Sequence, residues 1–129
     1  MILTIKTDQP TAKIALFNNE ELVDSCSWQA HRQLAATLLT KIDKLLKSNQ
    51  VAFPDISGIV VFRGPGSFTG LRIGITTANT LAYSLDTPVA GAIGEDWIEQ
   101  GLKSINNNKT TRIITPHYGG EANITRPKK

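Results

Sequence analysis

Arg63-Gly64-Pro65-Gly66-Ser67-Phe68-Thr69-Gly70-Leu71-Arg72-Ile73-Gly74 follows the apolar run Ile59-Val60-Val61-Phe62 and opens a segment that reaches Leu85. The order reads as strand, tight turn and helix. Pro65 fixes φ, Gly64 and Gly66 admit conformations closed to other residues, and Ser67 is the candidate N-cap. At helical spacing, Phe68, Leu71, Ile75, Ala78, Ala82 and Leu85 fall on one face, as a core-facing stripe should. Gly70, Ile73, Thr77, Thr80 and Ser84 form a second stripe, small and uncharged, and Arg72 is the one charged residue between Ser67 and Leu85. A helix face turned to water normally carries Lys and Glu. The second stripe is therefore expected to be covered by another helix; the alternative is a helix buried on both sides within its own domain.

The rest of the chain is read around this unit. Its 129 residues suit one domain with a real core. Net charge is +3, and removing Arg126, Lys128 and Lys129 from the 14 basic residues leaves 11 against 11 acidic ones. No broad basic surface follows, so autonomous nucleic-acid binding is not signalled. Cys26 is alone, which excludes an internal disulfide and a Cys-based zinc site. The opening residues lack a basic n-region and no apolar run approaches the ~18 residues of a membrane span, so a cytoplasmic protein without membrane attachment is expected.

Ile2-Leu3-Thr4-Ile5, Ala12-Lys13-Ile14-Ala15-Leu16-Phe17 and Glu21-Leu22-Val23-Asp24-Ser25-Cys26 are short runs separated by turn chemistry, which predicts an antiparallel meander. Residues 30–47 place Leu34, Ala35, Leu38, Leu39, Ile42, Leu45 and Leu46 on one arc opposite Lys41, Asp43, Lys44 and Lys47, an amphipathic helix. The uninterrupted apolarity of Ile59 to Phe62 suits an interior strand covered on both faces. Residues 87–92 read as a further strand, 95–105 as a short helix and 106–111 as a polar linker before a tail, 112–129. A meander followed by helix, strand, helix, strand and helix is the order of an α/β lobe of the ribonuclease H-like, actin-like ATPase superfamily, with a mixed five-stranded sheet flanked by helices over residues 1–105.

The 11 positions from Gly64 to Gly74, preceded by an apolar strand after Asp55, closely resemble the TsaB (YeaZ-like) family. The opening strand, His31 before the Leu-rich helix, Pro88-Val89 and the tail Thr115-Pro116-His117-Tyr118-Gly119-Gly120-Glu121-Ala122-Asn123-Ile124-Thr125 also look like it. The resemblance implies a non-catalytic subunit of the bacterial machinery that places threonylcarbamoyl on the adenine beside the anticodon of certain tRNAs. Its catalytic partner would be TsaD, with the ATPase TsaE joining the larger complex and tRNA met only through that complex. The family pairs with TsaD through a helical bundle, which here implies an interface of Leu38, Ile42 and Leu45 from the first helix and Gly70, Ile73, Thr77, Thr80 and Ser84 from the second. Homodimerisation of the isolated chain is a further outcome left open. Two departures stand out: most of the family's second lobe is expected to be missing between Ile105 and Ile113, and Lys6 stands where many members carry Asp. Lys6 cannot hold a metal-bound water as a carboxylate does.

Other chemistry is weaker. Gly64-Pro65-Gly66-Ser67 could cradle a phosphate at a helix start, but there is no Walker A Lys-Ser/Thr pair and no G-x-G-x-x-G, so a structural turn is expected. His31 and His117 stand alone, giving no metal motif; no cofactor and no catalytic residue is predicted. A nuclease would need clustered carboxylates, whereas Asp8, Asp24 and Asp55 fall at strand ends or turns, and Ser67 has no identifiable base. Trp28 and Trp97 read as packing anchors. The competing hypothesis is a small actin-like nucleotide-binding or ATP-hydrolysing protein acting alone.

Overall fold

The computed structural model describes residues 1–66, 68–107 and 114, with the side chains of His31 and Phe68 excepted. The expected N-cap at Ser67, the side chain of His31 and, apart from Ile114, the tail lie outside the described residues. The elements are β1 (Ile2–Lys6), β2 (Thr11–Asn18), β3 (Glu21–Gln29), α1 (Leu34–Ser48), β4 (Gly58–Phe62), α2 (Phe68–Leu85), β5 (Val89–Ala92) and α3 (Trp97–Asn106), with 3-10 turns at His31–Gln33 and Phe53–Asp55. Sheet order is β3-β2-β1-β4-β5. The first three strands are antiparallel, and β4 and β5 continue from β1 in parallel. This is the mixed five-stranded, ribonuclease H-like sheet that the element order predicted.

The two sheet faces follow from strand alternation. Gly58 and Val60 of β4 meet Ile105 and Gly101 of α3, so the intervening Ile59 and Val61 face the other side, where α1 and α2 lie. Every residue of β4 is buried, as a central strand between helices requires. α3 sits close: a Cβ at Gly101 would come 2.1 Å from Val60 Cγ1. Trp97, at its start, meets the Phe62 ring edge-on at 5.7 Å between centroids, which bears out Trp97 as an anchor. Trp28 belongs to β3, which runs past the predicted end at Cys26 to Gln29. Its ring holds α1 to the sheet edge, with Nε1 donating to Thr37 Oγ1 at 3.0 Å.

Of the stripe read from its spacing, α2 buries Leu71, Ile75, Ala78 and Ala82 and half-buries Leu85, while the Phe68 side chain lies outside the described residues. The predicted interface is corrected in four places. Leu38, Ile42 and Leu45 are buried in the chain's own core, because α1 spends its apolar arc on the sheet and on α2 and leaves these side chains no free surface. Gly70 is turned inward against Thr7 rather than outward with Thr80 and Ser84.

Truncating Ile75 to Ala should cost about 2–5 kcal/mol of unfolding free energy through lost burial and a cavity. Thr80→Ala, on the exposed side, should stay within about 0.5 kcal/mol. Urea unfolding of both variants checks this, and equal losses would mean that α2 is buried all round.

Candidate partner interface

The turn and the first helical turns of α2 are shaped by one close approach. Gly64 is buried at φ 119°, a region that favours glycine. Gly66 is required for a different reason: a Cβ there would lie 2.5 Å from Asp8 Cβ. At Gly70 it would meet the Thr7 carbonyl oxygen at 2.1 Å, and at Gly74 the Thr7 Oγ1 at 2.2 Å. Spaced four apart, these glycines make a smooth track on which the residues after β1 lie. Thr7, itself buried, fixes the contact by donating its hydroxyl to Gly70 O at 2.7 Å. The glycines thus serve helix-to-strand packing. The cleft beside them, ≈ 300 Å³, is walled by Thr7, Asp8, Pro10, Thr69 and Ile73.

Lys6 and Asp8, beside this turn, are engaged with the fold. Lys6 Nζ pairs with Asp8 Oδ1 at 2.5 Å and lies 4.5 Å from the Phe62 ring centroid. Asp8 is largely buried and packs against Gly66, so its carboxylate is committed to Lys6 beside the turn. Asp24 accepts from the Asn49 amide at 2.9 Å and from the Ser25 N–H at 2.8 Å, and these two bonds hold its carboxyl below the ordinary value. Asp55 accepts from the Ala52 N–H at 2.9 Å. The three aspartates singled out from the sequence are therefore dispersed over the fold. Among the described residues no group of three or more His, Cys, Asp or Glu is placed to hold a metal ion.

The outer face is different in kind. α1 and α2 lie side by side on one face of the sheet. Of the predicted stripe, Thr80 and Ser84 are exposed, while Ile73 and Thr77 are half-buried. Sequence reasoning missed two exposed neighbours. Leu39 on α1 is 51% exposed and Tyr83 on α2 is 85% exposed. Both could have been found from their place off the core stripes: Leu39 lies at the margin of the α1 arc, and Tyr83 next to Ser84 on a helix with almost no charge. The result is a surface of Thr, Ser and Tyr side chains on α2, with Arg72 as its only charge, and Leu39 on α1, whose solvent side also carries Lys44 and the Lys47–Asp43 pair.

The flank of α2 away from α1 holds a return of the chain. Asn79 donates from Nδ2 to Ile114 O at 3.0 Å and accepts from Ile114 N–H at 3.0 Å, so its amide reads both polar groups of one backbone residue. The Ile114 side chain fills the space over Gly91, where a Cβ would come 2.7 Å from its Cγ2.

Residues 28–93 match the family model described as TsaD, tRNA N6-adenosine threonylcarbamoyltransferase. The tRNA threonylcarbamoyladenosine biosynthesis protein TsaB of Bacillus subtilis is 38% identical over 89 residues, covering 69% of this chain and 39% of the relative. The protein of the same name from Escherichia coli is 31% identical over 113 residues, covering 88% and 48% respectively. The solved structure of YeaZ from Pseudomonas aeruginosa superposes with a TM-score of 0.68 at 28% identity, over 84% of this chain and 49% of that one. The chain spans less than half the length of each of these relatives.

Gly70→Ala tests the close approach. In an open helix the change would stabilise by up to about 1 kcal/mol. Here the methyl has to displace the Thr7 backbone, so a net loss of about 1–3 kcal/mol is expected from overpacking. A thermal melt at or above the parent's would show that α2 does not need the glycine track.

Proposed function

Because the chain belongs to the TsaB (YeaZ-like) family, we propose that it acts as a non-catalytic subunit in the formation of threonylcarbamoyladenosine in tRNA, in the cytoplasm, by binding and supporting TsaD. The observation that carries this reading is the outer face of α2, uncharged apart from Arg72, together with the exposed Leu39 of α1. Ile73, Thr77, Thr80 and Ser84 remain from the surface first expected, and Leu39 and Tyr83 join them in place of Leu38, Ile42, Leu45 and Gly70. Small Thr and Ser side chains let helix backbones come close, and Leu39 and Tyr83 supply apolar area to bury.

The match to the TsaD family model supports the partner. It spans residues 28–93, and so contains both α1 and α2. A partner built on the same lobe offers the same two helices, and two such pairs can meet face to face as a four-helix contact with near two-fold symmetry. TsaE and tRNA enter this proposal only through the assembled complex. A second copy of the chain could occupy the face when TsaD is absent, and TsaD would then displace it.

The non-catalytic part of the proposal is supported by the use of the three aspartates singled out from the sequence. Asp8 is tied to Lys6, and Asp24 and Asp55 accept bonds from their own loops and turns. Each is a structural acceptor in the folded chain.

Thr80→Lys is the test. Thr80 is exposed, so the substitution should leave stability within about 0.5 kcal/mol. In the complex it would bury an unpaired ammonium against a partner helix, so affinity for TsaD should fall more than tenfold, equivalent to about 1.4 kcal/mol. Isothermal titration of TsaD with both forms, alongside their thermal melts, reads the two effects separately. Unchanged affinity would place the partner elsewhere.

A further inference from the structure

α3 packs on β4 and β5, and past its side a depression of ≈ 460 Å³ opens over β1, β2 and β3, on the sheet face opposite α1 and α2. Strand register explains its shape. Lys6 stands across from Lys13, Thr4 from Ala15, Lys13 from Ser27 and Ala15 from Ser25. The small Ala15 side chain leaves room at the centre, with Thr4 beside it. One end is apolar, formed by Phe17 and Ile98; the other end carries the two lysines, with Trp97 on that side against Phe62, and Ser25 and Ser27 line the wall.

Three features of this depression call for a ligand. Like charges directly opposite one another in a sheet are destabilising, and only one member of this pair is neutralised. Lys6 is held by Asp8, whereas Lys13 is exposed and has no ion pair among the described residues. Thr4 is 1% exposed, lines the depression, and its hydroxyl has no hydrogen-bond partner among the described residues. Buried hydroxyls are ordinarily bonded, so an unpaired one at the floor of a cavity marks a place for a ligand oxygen. The third feature is polarity along the long axis. Beyond Phe17 and Ile98 the neighbouring surface is acidic on balance, with Glu20, Glu95, Asp96 and Glu99 against the single Lys103 that pairs with Glu99, and this disfavours negative charge at the apolar end.

We propose that this depression binds a small organic anion with a single carboxylate or phosphate head and a flat apolar body. The head lies toward Lys13 and takes the hydroxyl of Thr4, and Ser25 and Ser27 are within the same wall. The body lies over Ala15 toward Phe17 and Ile98, with Trp97 along its flank. The volume is within the range of small-molecule sites, about 300–1,000 Å³. The opposite sheet face carries the surface assigned to the protein partner, so both can be occupied together.

The experiment is an NMR titration of the full ¹⁵N-labelled chain with phenyl phosphate and with benzoate, using inorganic phosphate and phenol as controls. At least one of the two aromatic anions should give saturable shifts at Thr4, Lys13, Ser25, Ser27 and the Trp97 indole. The controls should bind at least tenfold more weakly than that anion. Lys13→Gln, an exposed change, should weaken its binding at least tenfold while leaving the rest of the spectrum and TsaD affinity unchanged. Ala15→Leu, which fills the floor, should abolish it; if that variant does not fold, Lys13→Gln decides alone. Absence of saturable shifts at these residues, affinity for inorganic phosphate equal to that for phenyl phosphate, or full affinity in Lys13→Gln would each overturn the proposal.

Discussion

The closeness of α2 to the residues that follow β1 is the constraint on which the rest of the fold depends. Gly66, Gly70 and Gly74 give up their side chains so that Thr7 and Asp8 can lie against the turn and the first helical turns, and the Thr7 hydroxyl closes the contact on Gly70 O. That approach sets the height of α2 above β1 and β4. With α2 set low, Leu71, Ile75, Ala78 and Ala82 reach the core. The opposite side of the helix is then lifted clear of the sheet with few charges on it. One packing requirement thus explains both the glycine spacing and the orientation of the face assigned to the partner.

Electrostatics at the same corner follow from sequence changes that are individually small. Lys6 ends β1 and is neutralised within two residues by Asp8, with the Phe62 ring as a second neighbour. The corner becomes a closed ion pair packed on an aromatic ring. A carboxylate that is both paired and packed against Gly66 is poorly suited to organising a metal and a phosphate. The glycine-rich turn, which resembles a phosphate loop when read alone, is in its context the socket for a strand end.

Much of the fold could be read from periodicity. The continuous apolar run of β4, the meander before it and the 3.6-residue stripe of α2 each state a period and a degree of burial, and the sheet order follows from their sequence. The interface was less legible, for a physical reason. A helical wheel gives the angle of a side chain about its own axis and says nothing of what stands opposite. Gly70 shares an angular sector with Thr77 and Ser84, yet at its height along α2 that sector is filled by Thr7, while nearer the C-terminus it is open. The apolar arc of α1 is likewise wide enough for two neighbours, and both are internal. Only its margin, at Ala35 and Leu39, reaches solvent. The pairing of Asn79 with Ile114 could not be read at all, because no local pattern marks a side-chain amide that bonds a backbone 35 residues away.

The most direct measurement of where the partner sits is a map of the ¹⁵N-labelled chain with unlabelled TsaD by cross-saturation transfer. Transfer confined to the outer sides of α1 and α2, strongest at Leu39, Thr80, Tyr83 and Ser84, is the expected result. Transfer centred on β3 or α3, with those four residues silent, would contradict the assignment of this face to the partner.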